Sequence, residues 1–372
     1  ATINVTGDFY ISGDSVSILR QVSGALNLNV TGNTTISGNP SYVRFMEGNT
    51  GIMTFNTNDF NIGGGNNNIL VGGNPLIPLP TAGVFVNIGN DLNVTGNSTT
   101  YIVNSDININ RTKITIGRNF NTSVVGANFI AANTNGNLLF DVANDFTMTS
   151  GNFIGQNFAG NIKADSIMIG GSFLFNSATA ANYFYGNRGA GTTGGTVIRV
   201  GANFTINNSG IANGQGFNGV YQANSPLNFY VGGNFTLNQG RFNGIFNGDG
   251  NCTINIVGNY SHVNGQFYGI HNLVSLQSGI ASFTANAVDF DRGHFSLFHA
   301  NSLVSNITNF NVTTNVDITF FAAVDTFSVI GVELVEPASN ESQLAFNIGG
   351  NLTISGAAGT FVSSKAKGRE VV

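Results

Sequence analysis

The segment from Phe229 to Asn247, FYVGGNFTLNQGRFNGIFN, sets the strongest limit on how this chain can fold. It starts with alternating apolar residues, breaks at Gly-Asn, alternates again, and breaks at Gly before another aromatic pair. The same pattern returns about every 25 to 30 residues along the chain, a period typical of repeat architectures. We therefore predict a stack of similar coils, each built from short strands.

Each coil is predicted to contain a tight bend, because a two-residue polar break recurs at a nearly constant phase. Gly, Asn and Asp dominate these breaks, and all three tolerate the positive backbone angles of tight turns. The second residue of each break is expected to form a structural turn ladder along the stack. This predicted ladder comprises Asp8, Asn33, Asp59, Asp91, Asn119, Asp145, Asn203, Asn234, Asn259, Asn309 and Asn351.

Apolar residues occupy the positions six and four before the residue that follows each break. Phe229 and Val231 hold these positions before Phe235, and the same spacing recurs in most coils. Alternation with a period of two places one face of a strand in the core and the other toward solvent. A half-buried strand is therefore expected before every bend.

Two all-β architectures fit short alternating strands with Gly/Asn turns: an antiparallel sandwich or barrel, and a parallel solenoid. Equivalent residues recur here at constant phase, which favours the stacking of like on like over the mirror pairing of hairpins. Equivalent residues of a parallel stack lie ~4.8 Å apart. We predict an all-β parallel β-helix (β-solenoid) of about 13–14 coils, with no significant helix.

The stack is predicted to run continuously over 1–355, followed at 356–372 by a tail or a linker to further sequence. Outward loops are expected at 63–83, which contains three prolines, and at 176–195. An irregular coil is expected at 327–345. Because loops on rigid scaffolds usually carry recognition, the two outward loops are the expected contact points. The chain opens directly in a strand pattern, so we expect a processed product or a segment of a longer protein.

Composition argues against several classes of partner. Lys and Arg total 13 against 18 Asp and Glu, and basic residues cluster only at Lys365, Lys367 and Arg369, which disfavours nucleic acid. The 41% of hydrophobic residues excludes disorder. These residues never form the ~18-residue apolar run of a membrane helix. The single cysteine, Cys252, allows no internal disulfide, and its position predicts a buried thiol.

Glycine-rich segments at 189–194 and 214–219 match the dinucleotide-binding pattern by letters only, because neither lies between a strand and a helix. Calcium-binding β-rolls repeat an Asp in a Gly-Gly-x-Gly-x-Asp loop, and the segment 63–68 lacks it. We therefore expect no cofactor and no metal.

Asp289, Asp291 and His294 are the best candidates for catalysis. The two carboxylates at alternate positions would share a strand face near an imidazole, as an acid/base group requires. The other interpretation is a locally charged outer face, because no second cluster of acids and bases faces it. We favour a chain that is not an enzyme. The alternative is a carbohydrate-active β-helix, either lyase- or hydrolase-like or glycan-binding.

The second half of the chain repeats Phe-Asn-Gly followed by Ile or Val and an aromatic residue. This register and its two histidine variants predict a stacked column of Tyr221, Phe246, His271 and His299. His262 falls instead in an apolar position and is expected to be buried and hydrogen-bonded. The stacked imidazoles of His271 and His299 lack the third ligand that a metal site needs. The functional alternative to a purely structural pair is a pH-sensitive contact between them.

Two motifs resemble a known family. The unit Gly-Asn-Phe-Thr-x-Asn spans Gly233 to Asn238 and is nearly repeated from Ala202 to Asn207. Together with the Phe-Asn-Gly motif, it resembles passenger domains of bacterial autotransporters and filamentous-haemagglutinin-type exoproteins. In style the chain is most similar to vacuolating-cytotoxin-like autotransporters, over nearly its whole length. It departs from them in lacking an outer-membrane barrel after Val372, so we expect the barrel to have been removed or replaced by a separate export partner.

The resemblance implies a right-handed β-helix that is exported to the bacterial cell surface or secreted. It also implies a role as a stalk, adhesin or filament, and some relatives are associated with the flagellar sheath. The implied partners are a host or neighbouring-cell surface, through glycan or protein, or copies of the chain itself. The segment is expected to stack on further β-helix and not to span a membrane.

Overall fold

The structure is a computed structural model, and the chain divides into two compact units. Unit 1 comprises Ala1–Gly171 and Tyr185–Gly194, and unit 2 comprises Ser172–Phe184 and Gly195–Val372. The structure describes residues 1–13, 15–21, 24–38, 42–48, 51–64, 67–72, 83–105, 109–157, 164–178, 181–189, 194–209, 215–248, 250–272, 278–290, 294–300, 306–314, 318–321, 326–328, 343–348, 352–355, 360–362 and 369–371.

The described residues form strands joined by turns, and no helix occurs among them. The first nineteen strands are β1 (Thr2–Val5), β2 (Phe9–Ile11), β3 (Ser15–Gln21), β4 (Leu26–Val30), β5 (Thr34–Ile36), β6 (Tyr42–Gly48), β7 (Ile52–Thr57), β8 (Phe60–Ile62), β9 (Asn67–Gly72), β10 (Gly83–Ile88), β11 (Leu92–Gly96), β12 (Thr100–Ser105), β13 (Arg111–Ile116), β14 (Phe120–Asn133), β15 (Asn137–Val142), β16 (Phe146–Asn157), β17 (Asp165–Ile169), β18 (Phe173–Ser177) and β19 (Tyr183–Arg188). The others are β20 (Thr196–Val200), β21 (Phe204–Asn208), β22 (Gly216–Tyr221), β23 (Leu227–Val231), β24 (Phe235–Gln239), β25 (Arg241–Phe246), β26 (Cys252–Ile256), β27 (Tyr260–His262), β28 (Gln266–Asn272), β29 (Ser278–Ala285), β30 (Val288–Phe290), β31 (His294–Ala300), β32 (Asn306–Thr314), β33 (Ile318–Phe321), β34 (Thr326–Ser328), β35 (Gln343–Ile348), β36 (Leu352–Ser355), β37 (Thr360–Val362) and β38 (Arg369–Val371).

In unit 1 each coil contributes one strand to a first sheet of parallel strands, in the order β1-β4-β7-β10-β13-β15-β17. A second sheet holds two parallel ladders, which begin as β2-β5-β8-β11 and β3-β6-β9-β12. The long strands β14 and β16 run through both ladders, with register shifts between Thr122 and Asn128. Spatial order follows chain order in every ladder.

Unit 2 repeats this arrangement. Its first sheet has the parallel order β20-β23-β26-β29-β32-β35-β38. The two ladders of its second sheet are β18-β21-β24-β27-β30-β33-β36 and β22-β25-β28-β31-β34-β37. The predicted all-β parallel β-solenoid is confirmed, and its right-handed winding stays a prediction.

The core is built from equivalent apolar residues that meet in register, as Leu28 meets Phe55 in unit 1. In unit 2 five buried phenylalanine rings stack almost parallel, with successive centroids 4.5, 5.1, 4.9 and 4.7 Å apart. These rings belong to Phe184, Phe217, Phe242, Phe267 and Phe295. Each such pair adds roughly 0.5–1.5 kcal/mol beyond the burial of its area, so the stack ties five successive coils together.

Two glycines mark a place where the sheets of unit 2 approach each other closely. A Cβ added at Gly219 would lie 2.7 Å from Leu227 Cδ2, and one at Gly244 would lie 2.5 Å from Cys252 Sγ. Each Cβ would also lie within 2.8 Å of a backbone oxygen of the next coil. The Gly of the Phe-Asn-Gly motif is therefore required by packing against the first sheet.

One residue of the predicted turn ladder is placed elsewhere. Asn309 lies inside β32 of the first sheet, opposite Ile280, and the next residue, Phe310, pairs with Ala281. Ile318 instead pairs with Val288 and therefore follows the bend of this coil. The Asn-Phe letters resemble a bend, but here they continue a strand because alternate residues keep the register of the first sheet. Asn351 lies outside the described residues.

The predicted irregular segments also contain strands. β9 lies within 63–83, of which 73–82 are outside the described residues, and β19 lies within 176–195. The segment 356–372, predicted as a tail or linker, contains β37 and β38, which pair with β34 and β35. Most of 327–345 lies outside the described residues.

Candidate functional site

The bend residues of successive coils are bonded to one another, and we call the set in the described part of the chain the corner ladder. Its members are Asp8, Asn33, Asp59, Asp91, Asn119 and Asp145 in unit 1 and Asn203, Asn234 and Asn259 in unit 2. Within each unit, the side-chain Oδ1 of one member accepts a hydrogen bond from the backbone amide of the next, at 2.8 to 3.3 Å. The ladder therefore bonds coil to coil.

The chemistry of this bond explains why Asn and Asp alternate at the corner. Both residues offer an oxygen acceptor at Oδ1, and the bond needs nothing else from the side chain. At two corners the bond also explains the glycine before it. A Cβ at Gly233 would lie 2.6 Å from Asn203 Oδ1, and one at Gly32 would lie 2.3 Å from Asp8 Oδ1. At Gly32 and Gly233 the ladder thus leaves no room for a side chain. Other corners hold Asn58, Asn90, Arg118 and Asn144 at this position and keep the bond.

Outward-facing asparagines form further ladders in unit 1, among them one on each sheet. On the first sheet, Nδ2 of each carboxamide donates to Oδ1 of the one in the preceding coil at 2.8, 2.6 and 2.8 Å. The same bond occurs twice on the second sheet, at 2.9 Å each. These ladders are Asn4, Asn29, Asn56 and Asn87 on the first sheet and Asn61, Asn93 and Asn121 on the second. Because a carboxamide has two donor hydrogens and two acceptor lone pairs, each ladder leaves capacity for solvent or a ligand.

The structure brings together the described members of the aromatic column. The rings of Tyr221 and Phe246 stack at 5.4 Å and 12°, and Phe246 meets His271 edge to face at 5.1 Å and 85°. His271 and His299 are backbone partners between β28 and β31. The side chain of His299 is outside the described part of the chain.

His271 is buried and belongs to a line of polar side chains beside the column. Asn243 Nδ2 donates to Asn218 Oδ1 at 2.8 Å, which fixes Asn243 Oδ1 as the acceptor on its other side. His271 Nδ1 lies 3.1 Å from that oxygen and is therefore the donor. All three side chains are at most 2% exposed. This line is part of the interior of unit 2.

His262 is also buried, within β27. Its Nδ1 lies 2.8 Å from the Tyr260 hydroxyl and its Nε2 lies 3.3 Å from the Gly265 carbonyl oxygen. Because a carbonyl only accepts, Nε2 carries the hydrogen and Tyr260 donates to Nδ1. The imidazole therefore has a structural hydrogen-bonding role between a strand and the following bend.

The catalytic candidates are only partly described. Asp289 is exposed on β30, where its backbone is paired with Ser261 of β27. Asp291 lies outside the described residues. His294 begins β31, and its side chain is not described. An acid/base group at these three residues therefore stays a prediction.

Sequence reasoning missed a buried carboxyl group at Asp165, the first residue of β17. It lies opposite Leu138 and is 1% exposed. Burial raises the pKa of Asp165 to about 8, against smaller lowering effects from the Leu138 backbone and the Asn187 side chain. Asp165 stands eight residues before Phe173, the same inward position that Cys252 holds before Tyr260. That parity was the signal that could have found it.

A buried guanidinium at Arg241 was also missed. Its Nε donates to Gln266 Oε1 at 2.8 Å, its Nη2 donates to the same oxygen, and its charge lies 5.5 Å from the ring centroid of Tyr268. Burial lowers the pKa of Arg241 and raises that of Tyr268. Arg241 therefore links neighbouring coils through an amide oxygen and an aromatic face.

Among the described residues, no group of three or more His, Cys, Asp or Glu side chains could hold a metal ion. In the same part of the chain, no helix is long and apolar enough to span a membrane. Cys252 is a buried free thiol, and burial raises its pKa. The chain matches no known protein family, no curated protein and no solved structure. Its fold identifies it as a parallel β-solenoid.

Proposed function

We propose that this chain is a non-enzymatic structural segment of a β-solenoid that is secreted or displayed on a bacterial surface, where it serves as a stalk, adhesin or filament. The corner ladder is the observation that supports this proposal. Its carboxylates and carboxamides each bond to the next coil. An active site needs several polar groups to converge on one substrate, whereas the ladder spaces its groups one per coil.

The bonding between coils suits a load-bearing role. Successive coils of unit 2 share backbone ladders, the corner bonds and the stack of five phenylalanine rings. Because each coil buries its apolar face only against its neighbours, stability is cooperative along such an array. A stalk gains resistance to bending and local unfolding from this repetition.

The outward asparagine ladders give the same segment a surface for adhesion. Carboxamides repeat at the ~4.8 Å spacing of a parallel sheet, each with the same donors and acceptors. A hydroxyl-rich glycan or the backbone of an extended protein can meet such a row at several points, and repeated weak contacts add up through multivalency. The partner that we propose is therefore a glycan or protein of a neighbouring cell, or another copy of the chain.

The extracellular location rests on the resemblance of the Gly233–Asn238 unit to exported passenger domains. A chain with 8% charged residues and one buried cysteine is compatible with export, because it needs no disulfide and exposes no described thiol. Antibodies against the purified chain would test the location. Labelling of intact source cells supports it, and labelling only after permeabilisation contradicts it.

One experiment separates adhesion from carbohydrate chemistry. Fluorescently labelled chain is titrated onto candidate host cells and, in parallel, incubated with a panel of acidic and neutral polysaccharides. We expect saturable cell binding that unlabelled chain competes away, with no new reducing or unsaturated ends. Turnover that disappears in Asp291→Asn and persists in Asn228→Asp would instead establish the carbohydrate-active alternative.

A filament role has its own test. Electron microscopy of the purified chain across a wide concentration range distinguishes discrete particles from polymers. Discrete particles at every concentration would remove the filament role and leave the stalk and adhesin roles. Concentration-dependent fibres would make self-association the main partner interaction.

A further inference from the structure

The dipeptide Asn264–Gly265 lies at a bend between β27 and β28, and its geometry favours attack of the backbone on the side chain. Asn264 is exposed. The backbone nitrogen of Gly265 lies 2.8 Å from Asn264 Oδ1, to which it donates. This nitrogen is therefore close to Asn264 Cγ. Gly265 has a φ of +108°, which any other residue would adopt only with strain.

The other described Asn-Gly pairs provide a comparison within the same chain. Asn218–Gly219 and Asn243–Gly244 lie inside strands, with both asparagine side chains fully buried. Asn135–Gly136 and Asn247–Gly248 lie outside strands, and both of their asparagines are half-buried. The Asn243 carboxamide is held by Asn218 on one side and His271 on the other. Rotation of that carboxamide toward the next backbone nitrogen would break both bonds. Among the described asparagines that precede a glycine, only Asn264 is exposed.

We propose that Asn264 is a site of spontaneous deamidation through a succinimide with Gly265. A solvent base removes the Gly265 amide proton, and the nitrogen forms a bond to Asn264 Cγ. The bond from Cγ to Nδ2 then breaks, and Nδ2 leaves as ammonia after taking up a proton. Water opens the ring at Cγ to give aspartate, or at the backbone carbonyl to give isoaspartate. No oxidant or reductant takes part.

The product changes the surroundings of His262. Its Nε2–H donates to the Gly265 carbonyl, on the residue that directly follows the new carboxylate. Isoaspartate also inserts a methylene into the backbone just before Gly265. The modification therefore adds a negative charge at this bend and shifts the entry into β28, on a timescale set by pH and temperature.

A single tryptic peptide provides the test, because no Lys or Arg lies between Arg241 and Arg292. This peptide carries Asn243, Asn247 and Asn264. The intact chain is incubated in mildly alkaline buffer, once folded and once in urea, and conversion at each asparagine is followed by tandem mass spectrometry. Isoaspartate among the products marks conversions that pass through the succinimide, because direct hydrolysis of the side-chain amide gives only aspartate.

We expect Asn264 of the folded chain to convert at least ~10-fold faster than Asn243, because Asn264 is already in contact with the attacking nitrogen whereas two hydrogen bonds hold Asn243 away from it. In urea the two sites should convert at similar rates. Asn264→Gln, which would need a less favourable six-membered ring, should abolish conversion at position 264 and leave the fold unchanged. An Asn264 that stays intact in the folded chain but converts in urea would overturn the proposal. Equal rates at Asn243 and Asn264 in the folded chain would also overturn it.

Discussion

The backbone amide of Asn259 donates to the side-chain oxygen of Asn234 at 2.9 Å, although the two residues are 25 positions apart in the chain. In the preceding coil, the backbone amide of Asn234 donates in the same way to the side-chain oxygen of Asn203. The bond requires an oxygen acceptor on the side chain, and either a carboxamide or a carboxylate supplies one. It therefore predicts which substitutions a corner tolerates.

At the corner, Asn234→Asp should change the free energy of unfolding by less than about 0.5 kcal/mol, because Oδ1 is retained. Asn234→Ala removes the acceptor and should cost about 1 kcal/mol. Urea denaturation followed by circular dichroism measures both. Asn228→Ala, on the exposed face of β23, is the matched control and should be close to neutral. Equal losses for Asp and Ala at position 234 would contradict this role of the acceptor.

Replacement of a buried Asn by Asp inside the solenoid should be destabilising, in contrast to the same replacement at the corner. Asn243→Asp keeps an acceptor for His271 but replaces the amide that donates to Asn218 with a second oxygen. A buried carboxylate facing another oxygen should cost roughly 2–4 kcal/mol. The measurement is the same urea denaturation, with Asn234→Asp as the control. If Asn243→Asp were tolerated, Asn243 would not be the donor to Asn218 in this line of polar side chains.

At Gly233, before the corner residue Asn234, an added Cβ should be destabilising. Gly233→Ala places a Cβ 2.6 Å from Asn203 Oδ1 and 2.9 Å from the Ala202 backbone, and should cost roughly 1–3 kcal/mol. Gly195→Ala meets nothing closer than 3.7 Å and should be nearly neutral. Thermal denaturation of the two variants tests whether the loss of stability comes from the clash at Gly233 or from Gly-to-Ala replacement in general. Similar melting temperatures would argue against the packing explanation.

Asp165 should make the stability of the chain depend on pH. Its folded-state pKa of about 8 lies above the ordinary value of 3.8 because of burial, so folding favours the protonated form. Its stabilising contribution is complete below about pH 4 and is lost as the pH rises toward 8. Asp165→Asn should therefore gain stability relative to the natural chain at about pH 9 compared with about pH 5, by roughly 3–5 kcal/mol.

Denaturation at these two pH values measures the effect, and Asp141→Asn on β15 is the control carboxylate. Parallel pH profiles for the natural chain and Asp165→Asn would show that another group controls the dependence.

Cys252 should resist thiol reagents until the solenoid opens. Its side chain is buried against Gly244, and burial raises its pKa, which leaves little of the reactive thiolate. We expect labelling in native buffer to be at least ~10²-fold slower than in urea. Thr253→Cys in a Cys252→Ala background places a thiol on the exposed neighbour and should react quickly in both conditions. Rapid labelling of native Cys252 would mean that β26 opens easily.

The repeat pattern was enough to predict the fold and most of the corner. In most coils, the positions six and four residues before the corner strand hold buried strand residues such as Phe229 and Val231. This succeeded because stacking forces equivalent residues into register, so one coil predicts its neighbours. The hydrogen bond behind the corner could not be read from one coil, because its donor lies in the next.

Two kinds of residue escaped the pattern. Asn309 carries the letters of a corner but lies in β32, because two residues of local sequence do not determine the register of a nine-residue strand. Asp165 and Arg241 are charged residues in buried positions, where composition predicts exposure. Periodicity correctly indicates an inward position for Asp165, and only the packing around it shows how a carboxyl group is accommodated there.

The close approach at Gly219 and Gly244 limits how this molecule can meet others. At each of these glycines a side chain of the first sheet packs directly against the backbone of the second sheet. The interior between the two sheets is therefore filled here and leaves no channel. No guest can be threaded through or stored at that level. Any partner at this level must therefore bind the outer surface, where it contacts one coil after another.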